Sequence, residues 1–276
     1  MKTLRVQTIS GLASRMRAVI AGIAWAKARG ATVSVCWPWE DKSEADGVFP
    51  IWFSDLWNSP LKEEQFLKPA VEGVWRRTPA EMPDGSGWTC RLCEPEALNV
   101  SALDLTGWPY TELWQPSPLT KKMMASVASF RLKPEERIVG VHIRHSLAQS
   151  TTPPIEWFLR RMDLIKQQFP HVRFFLSCDA KVVEEQVLAA YPDTLYQPRN
   201  YKYDRIGIAR AAADLYLMKQ VDWMIGSYNS SYSELMGWMR GGKYLPGWGR
   251  PGWMPGGRYE DSLTPPVEAE LAKALS

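Results

Sequence analysis

A strand-like apolar run that ends in basic residues is the part of this sequence best suited to chemistry. The segment Val139-Gly-Val-His142-Ile-Arg144-His145 places two imidazoles and a guanidinium at its carboxyl end. Ligands of open α/β sheets bind outside the carboxyl ends of the strands. Arg144 could therefore hold a phosphate through two parallel hydrogen bonds. An ion pair between Arg144 and a carboxylate is the alternative, and this segment alone favours neither.

A second candidate anion site lies near the N-terminus. Ser10-Gly11-Leu-Ala-Ser14 forms a glycine turn into a predicted helix. The backbone N–H groups and the positive end of that helix suit an anion, and Gly11 permits close approach. A plain strand–helix turn explains the same residues. No Gly-x-Gly-x-x-Gly follows the first strand, and no Gly-x-x-x-x-Gly-Lys-Ser/Thr or Asp-x-Asp occurs in the sequence, which argues against dinucleotide, P-loop and metal-held diphosphate sites.

Two later strand ends are also polar. Asp179 ends an apolar run and either binds a ligand or caps the helix that follows. The segment 226–234 contains four serines and an asparagine, among them Ser230 and Ser231, between a predicted strand and a predicted helix. Capping needs only one or two of these groups, so the surplus favours a bound phosphate or sugar.

Alternating strands and helices must position these residues. Apolar periodicity predicts strands at 4–10, 32–36, 138–143, 172–177, 194–196 and 223–226, and helices at 13–28, 117–130, 154–168, 180–190, 205–220, 231–239 and 265–275. This order predicts an α/β fold with parallel strands and right-handed crossovers. The stretch 37–118 has weak periodicity, and we expect loops and short elements that shape a cleft. The economical architecture is two Rossmann-like domains, residues 1–118 and 119–276.

Composition narrows the class of protein. The 276 residues include 33 basic and 30 acidic side chains without a basic block, so nucleic acid is not an expected partner. The sequence contains no run of about 18 apolar residues, so no membrane span is predicted. No signal peptide is evident, so a cytoplasmic protein is expected. Core packing explains most of the fourteen tryptophans, although such side chains also stack on sugar rings.

The cysteines do not favour a metal site. Cys90 and Cys93 have zinc-ligand spacing, but no second Cys/His pair follows them. A free thiol pair or a local disulfide is expected instead, and Cys36 and Cys178 lie in apolar runs typical of a core.

Four segments, in order, resemble the fucosyltransferase superfamily that includes the α1,6-, protein O- and nodulation-factor fucosyltransferases. His142-Ile-Arg144-His145 resembles its His-x-Arg-Arg-x-Asp motif, and Phe-Leu-Ser-Cys-Asp179 resembles its second motif, a strand ending in Asp. Asp214, followed sixteen residues later by Ser230, resembles the third. Gly11-Leu-Ala-Ser-Arg-Met-Arg resembles the N-terminal Gly-x-x-Asn-x-x-Arg opening. The likeness spans about residues 4 to 240.

The resemblance implies a GT-B fold, in which two Rossmann-like domains face a cleft and the C-terminal one holds GDP-fucose. It also implies an inverting transfer to a glycan or glycoconjugate without a metal or other cofactor. Arg144 would contact the β-phosphate as the catalytic residue, while His142 and Asp214 would recognise guanine. The remaining donor-binding positions would be Gly11, Ser14, His145, Asp179, Ser230 and Ser231.

Four positions depart from the family pattern. His145 stands where a second Arg is frequent and Leu147 where an Asp is frequent, while Ala180 and Ser14 replace an Asp and an Asn. The expected function is therefore transfer of fucose or a related sugar from a GDP-sugar. Transfer from another nucleotide sugar, or a non-catalytic sugar-binding scaffold, is the alternative.

The general base is not fixed by the sequence. An inverting displacement needs a carboxylate or imidazole to take the proton of the acceptor. The candidates are Glu40, Asp41, Asp46, Asp55 and His145.

Overall fold

The computed structural model describes residues 1–8, 11–37, 52–64, 78–92, 114–127, 136–145, 154–202, 204–227 and 230–239. The chain divides into two compact units. The first contains Met1–Lys121 and Tyr203–Ala212, and the second contains Lys122–Lys202 and Ala213–Ser276. Each unit contains a mainly parallel sheet, which confirms the expected α/β class. No helix in these ranges is both long and apolar enough to cross a bilayer.

The first sheet is built from five strands. The elements of this part of the chain are β1 (Thr3–Thr8), α1 (Leu12–Lys27), β2 (Thr32–Cys36), α2 (Phe53–Leu56), β3 (Trp57–Asn58), β4 (Lys62–Glu64), β5 (Ala80–Glu81), β6 (Gly87–Leu92), β7 (Gln115–Pro116) and α3 (Pro118–Ala125). The strand order is β4-β2-β1-β6-β5, parallel except for the β5–β6 pair. Strands β3 and β7 form a separate antiparallel pair.

Strand β6 corrects the expectation of only loops and short elements in 37–118. It pairs with β1 over six residues, from Thr3–Gly87 to Thr8–Leu92. Its alternation explains why it is a strand: Cys90 joins the apolar core with Leu4 and Val6, with Trp88 packed against that core, whereas Thr89 lies on the other face. Helix α1 contributes Ala18, Ala21 and Ala26 to the same core.

The second sheet carries the candidate site. Its elements are β8 (Ile138–Ile143), α4 (Ile155–Gln168), β9 (Arg173–Cys178), α5 (Lys181–Ala190), β10 (Leu195–Tyr196), α6 (Arg205–Gln220), β11 (Trp223–Gly226) and α7 (Ser231–Met239). All four strands are parallel, in the order β10-β9-β8-β11. This is the 3-2-1-4 order of a Rossmann-type sheet. The chain adds strands in one direction from β8 to β10 and then returns to the other side of β8 for β11, so the strand order reverses between β8 and β11.

Side chains on alternate positions of β8 pack against different helices. Val139, Val141 and Ile143 share a core with Phe158 of α4 and Val183 of α5. Gly140 lies on the opposite face, where an added Cβ would come within 2.3 Å of Met218 Sδ. Helix α6 therefore approaches the sheet closely because position 140 has no side chain.

The buried tryptophans of the first unit support core packing. Trp37, Phe53, Trp57 and Trp114 are each at most 1% exposed, and their ring centroids lie 5.1–5.4 Å apart in tilted or edge-to-face pairs. Such enclosed rings cannot stack on a sugar. Trp39, Trp108, Trp248 and Trp253 lie outside the described residues.

The described cysteines are buried thiols. Cys36, Cys90 and Cys178 form no disulfide, which excludes the local disulfide for Cys90. Burial of Cys36 and Cys178 confirms their core interpretation. Burial raises the pKa of Cys90 to about 12, so this thiol is inert. Cys93 and the predicted helix 265–275 lie outside the described residues. Helix α3 ends at Ala125, short of the predicted Phe130.

Candidate functional site

Polar groups from four elements meet at the carboxyl edge of the second sheet, where β8, β9, β10 and β11 end. His142, Arg144 and His145 belong to the end of β8, and Asp179 directly follows β9. Ser227 follows β11, the strand that neighbours β8. This edge includes the point between β8 and β11 where the strand order reverses, the usual ligand site of such a sheet.

Asp179 links two residues at the end of β8. Its Oδ2 lies 3.2 Å from Nε of Arg144, and its Oδ1 accepts a 2.7 Å hydrogen bond from the backbone N–H of His145. The Arg144 side chain is 39% exposed, and within the described residues its terminal nitrogens make no hydrogen bond. The ion pair expected as one alternative is therefore present. It engages only Nε and leaves the two terminal N–H groups for another anion.

The serines near β11 and α7 have structural partners. Ser227 Oγ accepts a 2.8 Å hydrogen bond from the Arg144 backbone N–H, so it fixes the end of β8. Ser230 caps α7, since its Oγ accepts from the N–H of Ser233 at 3.4 Å. Ser231 is the first residue of α7 and is half-buried. Ser230 thus caps α7 and Ser227 anchors the end of β8, while the hydroxyl of Ser233 contacts His142. Capping alone therefore does not account for the hydroxyls of this cluster.

His142 is a buried, neutral imidazole. Its Nδ1 lies 2.6 Å from Ser233 Oγ, and its ring centroid lies 4.9 Å from that of Tyr232. Burial, opposed by nearby Asp179 and reinforced by Arg144 and Arg199, lowers the pKa of His142 from 6.5 to about 3. The ring therefore carries no charge at neutral pH and can offer hydrogen bonds or an aromatic face only.

Asp214 is completely buried behind the strand ends. Its carboxylate accepts hydrogen bonds from Ser177 Oγ and Gln197 Nε2, and it forms an ion pair with Arg199. Ser177, which donates to Asp214, is also hydrogen-bonded to Tyr232, and desolvation raises the pKa of that tyrosine. A charge buried this deeply requires a fixed counter-charge.

Arg199, Gln197 and Ser177 were not among the predicted site residues. Gln197 and Arg199 follow β10, which is only two residues long and gave no pattern from which to predict a polar strand end. One signal was present: Asp214 lies between buried Ala213 and Leu215 on α6, and a carboxylate on a buried helix face predicts a cation from elsewhere in the fold.

The predicted N-terminal turn begins α1. Gly11 is the N-cap of that helix with φ −71°, and an added Cβ would meet no atom within 4 Å. Ser14 is half-buried in the first turn. Arg15 donates a 2.8 Å hydrogen bond to the carbonyl of Thr8 and is buried. The turn is therefore braced by Arg15, and Ser10 lies outside the described residues.

Among the candidate bases, Asp55 and His145 are described, whereas Glu40, Asp41 and Asp46 are not. Asp55 accepts from the backbone N–H of Trp52 at 3.3 Å and pairs with Arg205 at 2.8 Å. His145 is half-buried beside Asp179. In the described ranges, no group of three or more His, Cys, Asp or Glu side chains is arranged to hold a metal ion.

Solved structures of fucosyltransferases share this fold. No protein-family model and no curated protein sequence matches the chain. The fucosyltransferase NodZ from Bradyrhizobium superimposes with a TM-score of 0.57 at 16% identity, covering 86% of this chain and 92% of that one. NodZ α-1,6-fucosyltransferase soaked with GDP-fucose gives 0.57 at 15% identity, covering 87% and 93%. POFUT1 in complex with GDP-fucose gives 0.55 at 10% identity, covering 86% and 93%. The chain therefore has a fucosyltransferase-like fold.

Proposed function

We propose that this protein is a glycosyltransferase that transfers fucose, or a related sugar, from a GDP-sugar to a glycan or glycoconjugate. One observation carries the proposal: Arg144 stands at the carboxyl edge of a Rossmann-type sheet, with Asp179 on its Nε and its terminal N–H groups without hydrogen bonds in the described part of the chain. The likeness to folds solved with GDP-fucose supports the choice of donor.

The donor would bind the second unit. Arg144 would contact the β-phosphate, and the N-terminus of α7, with Ser230 and Ser231, would face the diphosphate. The His142 ring would lie beside the base. Because Asp214 is completely buried and bonded to three side chains, we assign it a supporting role behind the base instead of direct contact. The GT-B arrangement, with the acceptor on the first domain, belongs to this proposal.

The chemistry assigned to Arg144 is stabilisation of the leaving group. The acceptor oxygen forms a bond to the anomeric carbon while the bond from that carbon to the diphosphate oxygen breaks. GDP leaves with the electron pair, and the proton of the acceptor passes to a base, for which His145 and Asp55 are described candidates. Preorganised N–H donors at the developing charge of the diphosphate lower the barrier.

We further propose that transfer needs no metal. The sequence has no Asp-x-Asp, and the guanidinium of Arg144 can neutralise charge that a metal would otherwise carry. Added EDTA should leave the initial rate unchanged. A rate that falls with EDTA and returns with Mg²⁺ or Mn²⁺ would overturn this part.

Nucleotide binding is the first test. GDP at about 100 times its Kd should raise the free energy of unfolding by about 2.7 kcal/mol, seen as a higher melting temperature, whereas UDP and ADP should shift it less. Stabilisation by UDP alone would favour the other nucleotide-sugar alternative. Glycan binding without donor hydrolysis or transfer, over an array of acceptors, would favour the scaffold.

The role of Arg144 is tested by Arg144→Lys. A lysine keeps the charge but cannot make two parallel hydrogen bonds, so kcat should fall by about 10²-fold or more. The matched control is Arg173→Lys at the opposite end of the neighbouring strand, where Arg173 pairs with Glu136 at 2.5 Å. That variant should retain the wild-type rate. An Arg144→Lys protein with an unchanged kcat would sink the assignment.

A further inference from the structure

Arg199 connects two groups at the end of β9 with a carboxylate in the middle of α6. Its Nη1 donates to the carbonyl of Cys178 at 3.1 Å, and its Nη2 donates to Ser177 Oγ at 3.3 Å. The same nitrogen pairs with Asp214, and the side chain is only 14% exposed. A guanidinium with this many fixed acceptors has one orientation, because turning it would break several hydrogen bonds at once.

The carbonyl that Arg199 holds belongs to the peptide group that leads into Asp179. Asp179 in turn contacts Nε of Arg144 at 3.2 Å and the N–H of His145 at 2.7 Å. Arg199 is therefore two steps from Arg144: it fixes the backbone, and the backbone fixes the carboxylate. A shift of that carboxylate by a fraction of an ångström would turn the Arg144 fork away from a bound phosphate.

The chain after Arg199 is also held in place. Tyr201 has φ +54°, a left-handed conformation that costs energy for a residue with a side chain and persists only where its surroundings impose it. Its hydroxyl donates to Glu184 of α5 and lies 3.6 Å from Cys178 Sγ. The segment 197–201 is thus attached to α6 through Arg199 and to α5 through Tyr201. Both side chains also contact Cys178, the residue that precedes Asp179.

We propose that Arg199 is a positioning residue of the donor site, which acts through the Cys178 carbonyl and Asp179 to orient Arg144. The inference rests on the proposed function only in naming the ligand as a nucleoside diphosphate. Arg199 itself does not touch the diphosphate. Its effect on binding therefore passes through Arg144 and concerns the phosphates, not the base.

The variant Arg199→Lys tests whether Arg199 affects binding of the phosphates without affecting binding of the base. Lysine keeps a counter-charge for buried Asp214, so the fold is retained, but one ammonium cannot hold the Cys178 carbonyl and the carboxylate in the same plane. We expect GDP affinity to fall about tenfold, roughly the loss of one charged hydrogen bond, while guanosine affinity changes less than about twofold. Arg173→Lys is the control, since Arg173 likewise bonds a carboxylate and a backbone carbonyl.

A double-mutant cycle tests the route. If Arg199 acts through Arg144, the double variant Arg144→Lys/Arg199→Lys should bind GDP about as weakly as Arg144→Lys alone. A loss of GDP binding free energy in the double variant equal to the sum of the losses in the two single variants would overturn the proposal. An equal loss of guanosine affinity in Arg199→Lys would also overturn it, since general loosening of the site weakens both ligands.

A measurement without ligand keeps the two proposals distinct. The His145 amide donates to Asp179, so it should exchange with solvent at least about tenfold faster in Arg199→Lys and at the wild-type rate in Arg173→Lys. Unchanged exchange would overturn the positioning role. A wild-type protein that fails to bind GDP would overturn the proposed function, and the His145 exchange would then decide the role of Arg199 by itself.

Discussion

The Asp179 carboxylate lies 3.2 Å from Nε of Arg144, so the ends of two neighbouring parallel strands are joined by an ion pair at the edge where ligands bind. Both groups are partly exposed, 39% for Arg144 and 21% for Asp179, so solvent weakens the attraction between them. The pair therefore serves less to stabilise the fold than to choose one orientation of the guanidinium. In the proposed donor site, the carboxylate would also reduce the net positive charge that the diphosphate meets.

The variant Asp179→Asn should separate binding from turnover. Asparagine keeps an oxygen for the His145 N–H but loses the charge that orients Arg144. We expect kcat to fall by about ten- to a hundredfold. GDP affinity should change less than in Arg199→Lys, because the loss of a negative charge beside the phosphates offsets the weaker hold of a misoriented Arg144. Initial rates and calorimetric titration with GDP measure the two effects.

The control for Asp179→Asn is Asp222→Asn. Asp222 accepts a 2.8 Å hydrogen bond from the N–H of Ile138, at the other end of β8. This variant should keep the wild-type kcat and GDP affinity. An unaltered kcat in Asp179→Asn would contradict the orienting role.

His142 should make stability depend on pH in a defined direction. Burial lowers its folded pKa from 6.5 to about 3, so between these values the unfolded chain binds a proton that the folded chain does not. Its contribution to the free energy of unfolding is complete above pH 6.5 and is lost as the pH falls towards 3, by at most about 1.4 kcal/mol per pH unit.

Two measurements check the His142 prediction. Its imidazole NMR signals, assigned with single variants at the three histidines, should not titrate between pH 7.5 and 5. Urea unfolding should show a lower midpoint at pH 5 than at pH 7.5, and His142→Leu should reduce that difference, whereas His171→Gln, at an exposed position, should not. A His142 ring that titrates near pH 6.5 would rule out the buried neutral state.

The sequence predicted the regular elements of the second sheet better than the contacts between them. Strand β8 runs over Ile138–Ile143 as expected, because a central parallel strand is buried on both faces and is apolar throughout. Parallel pairing also placed His142, Arg144 and Asp179 at one edge. The Arg144–Asp179 pair and the Arg199–Asp214 pair are long-range contacts, and local periodicity carries no information about them. Strand β6 was missed despite its alternation, because it lies in a stretch rich in Trp and Pro whose overall periodicity is weak.

Gly140→Ala should destabilise the second unit. The new Cβ would lie 2.3 Å from Met218 Sδ and 3.1 Å from Val221 Cγ2, so α6 or the Met218 side chain must move. We expect a loss of about 1–3 kcal/mol in the free energy of unfolding, typical of an overpacked core. Adding Met218→Ala should recover part of it. Gly11→Ala, where a Cβ meets nothing within 4 Å, should cost well under 1 kcal/mol; equal losses at both glycines would contradict the steric explanation.

Two buried threonines of the first unit should respond oppositely to valine. Thr89 Oγ1 in β6 is buried and has no hydrogen-bond partner among the described residues, whereas Thr120 Oγ1 in α3 donates to the carbonyl of Leu56 at 2.8 Å. Valine keeps the shape of threonine and removes the hydroxyl. Thr89→Val should therefore raise the free energy of unfolding by about 1 kcal/mol, since it removes an unsatisfied polar group. Thr120→Val should lower it by about 1 kcal/mol, because the Leu56 carbonyl loses one of its two described donors and keeps the N–H of Ser117. Urea midpoints of both variants measure the contrast, and a Thr89→Val protein less stable than wild type would show that the Thr89 hydroxyl has a partner in solution.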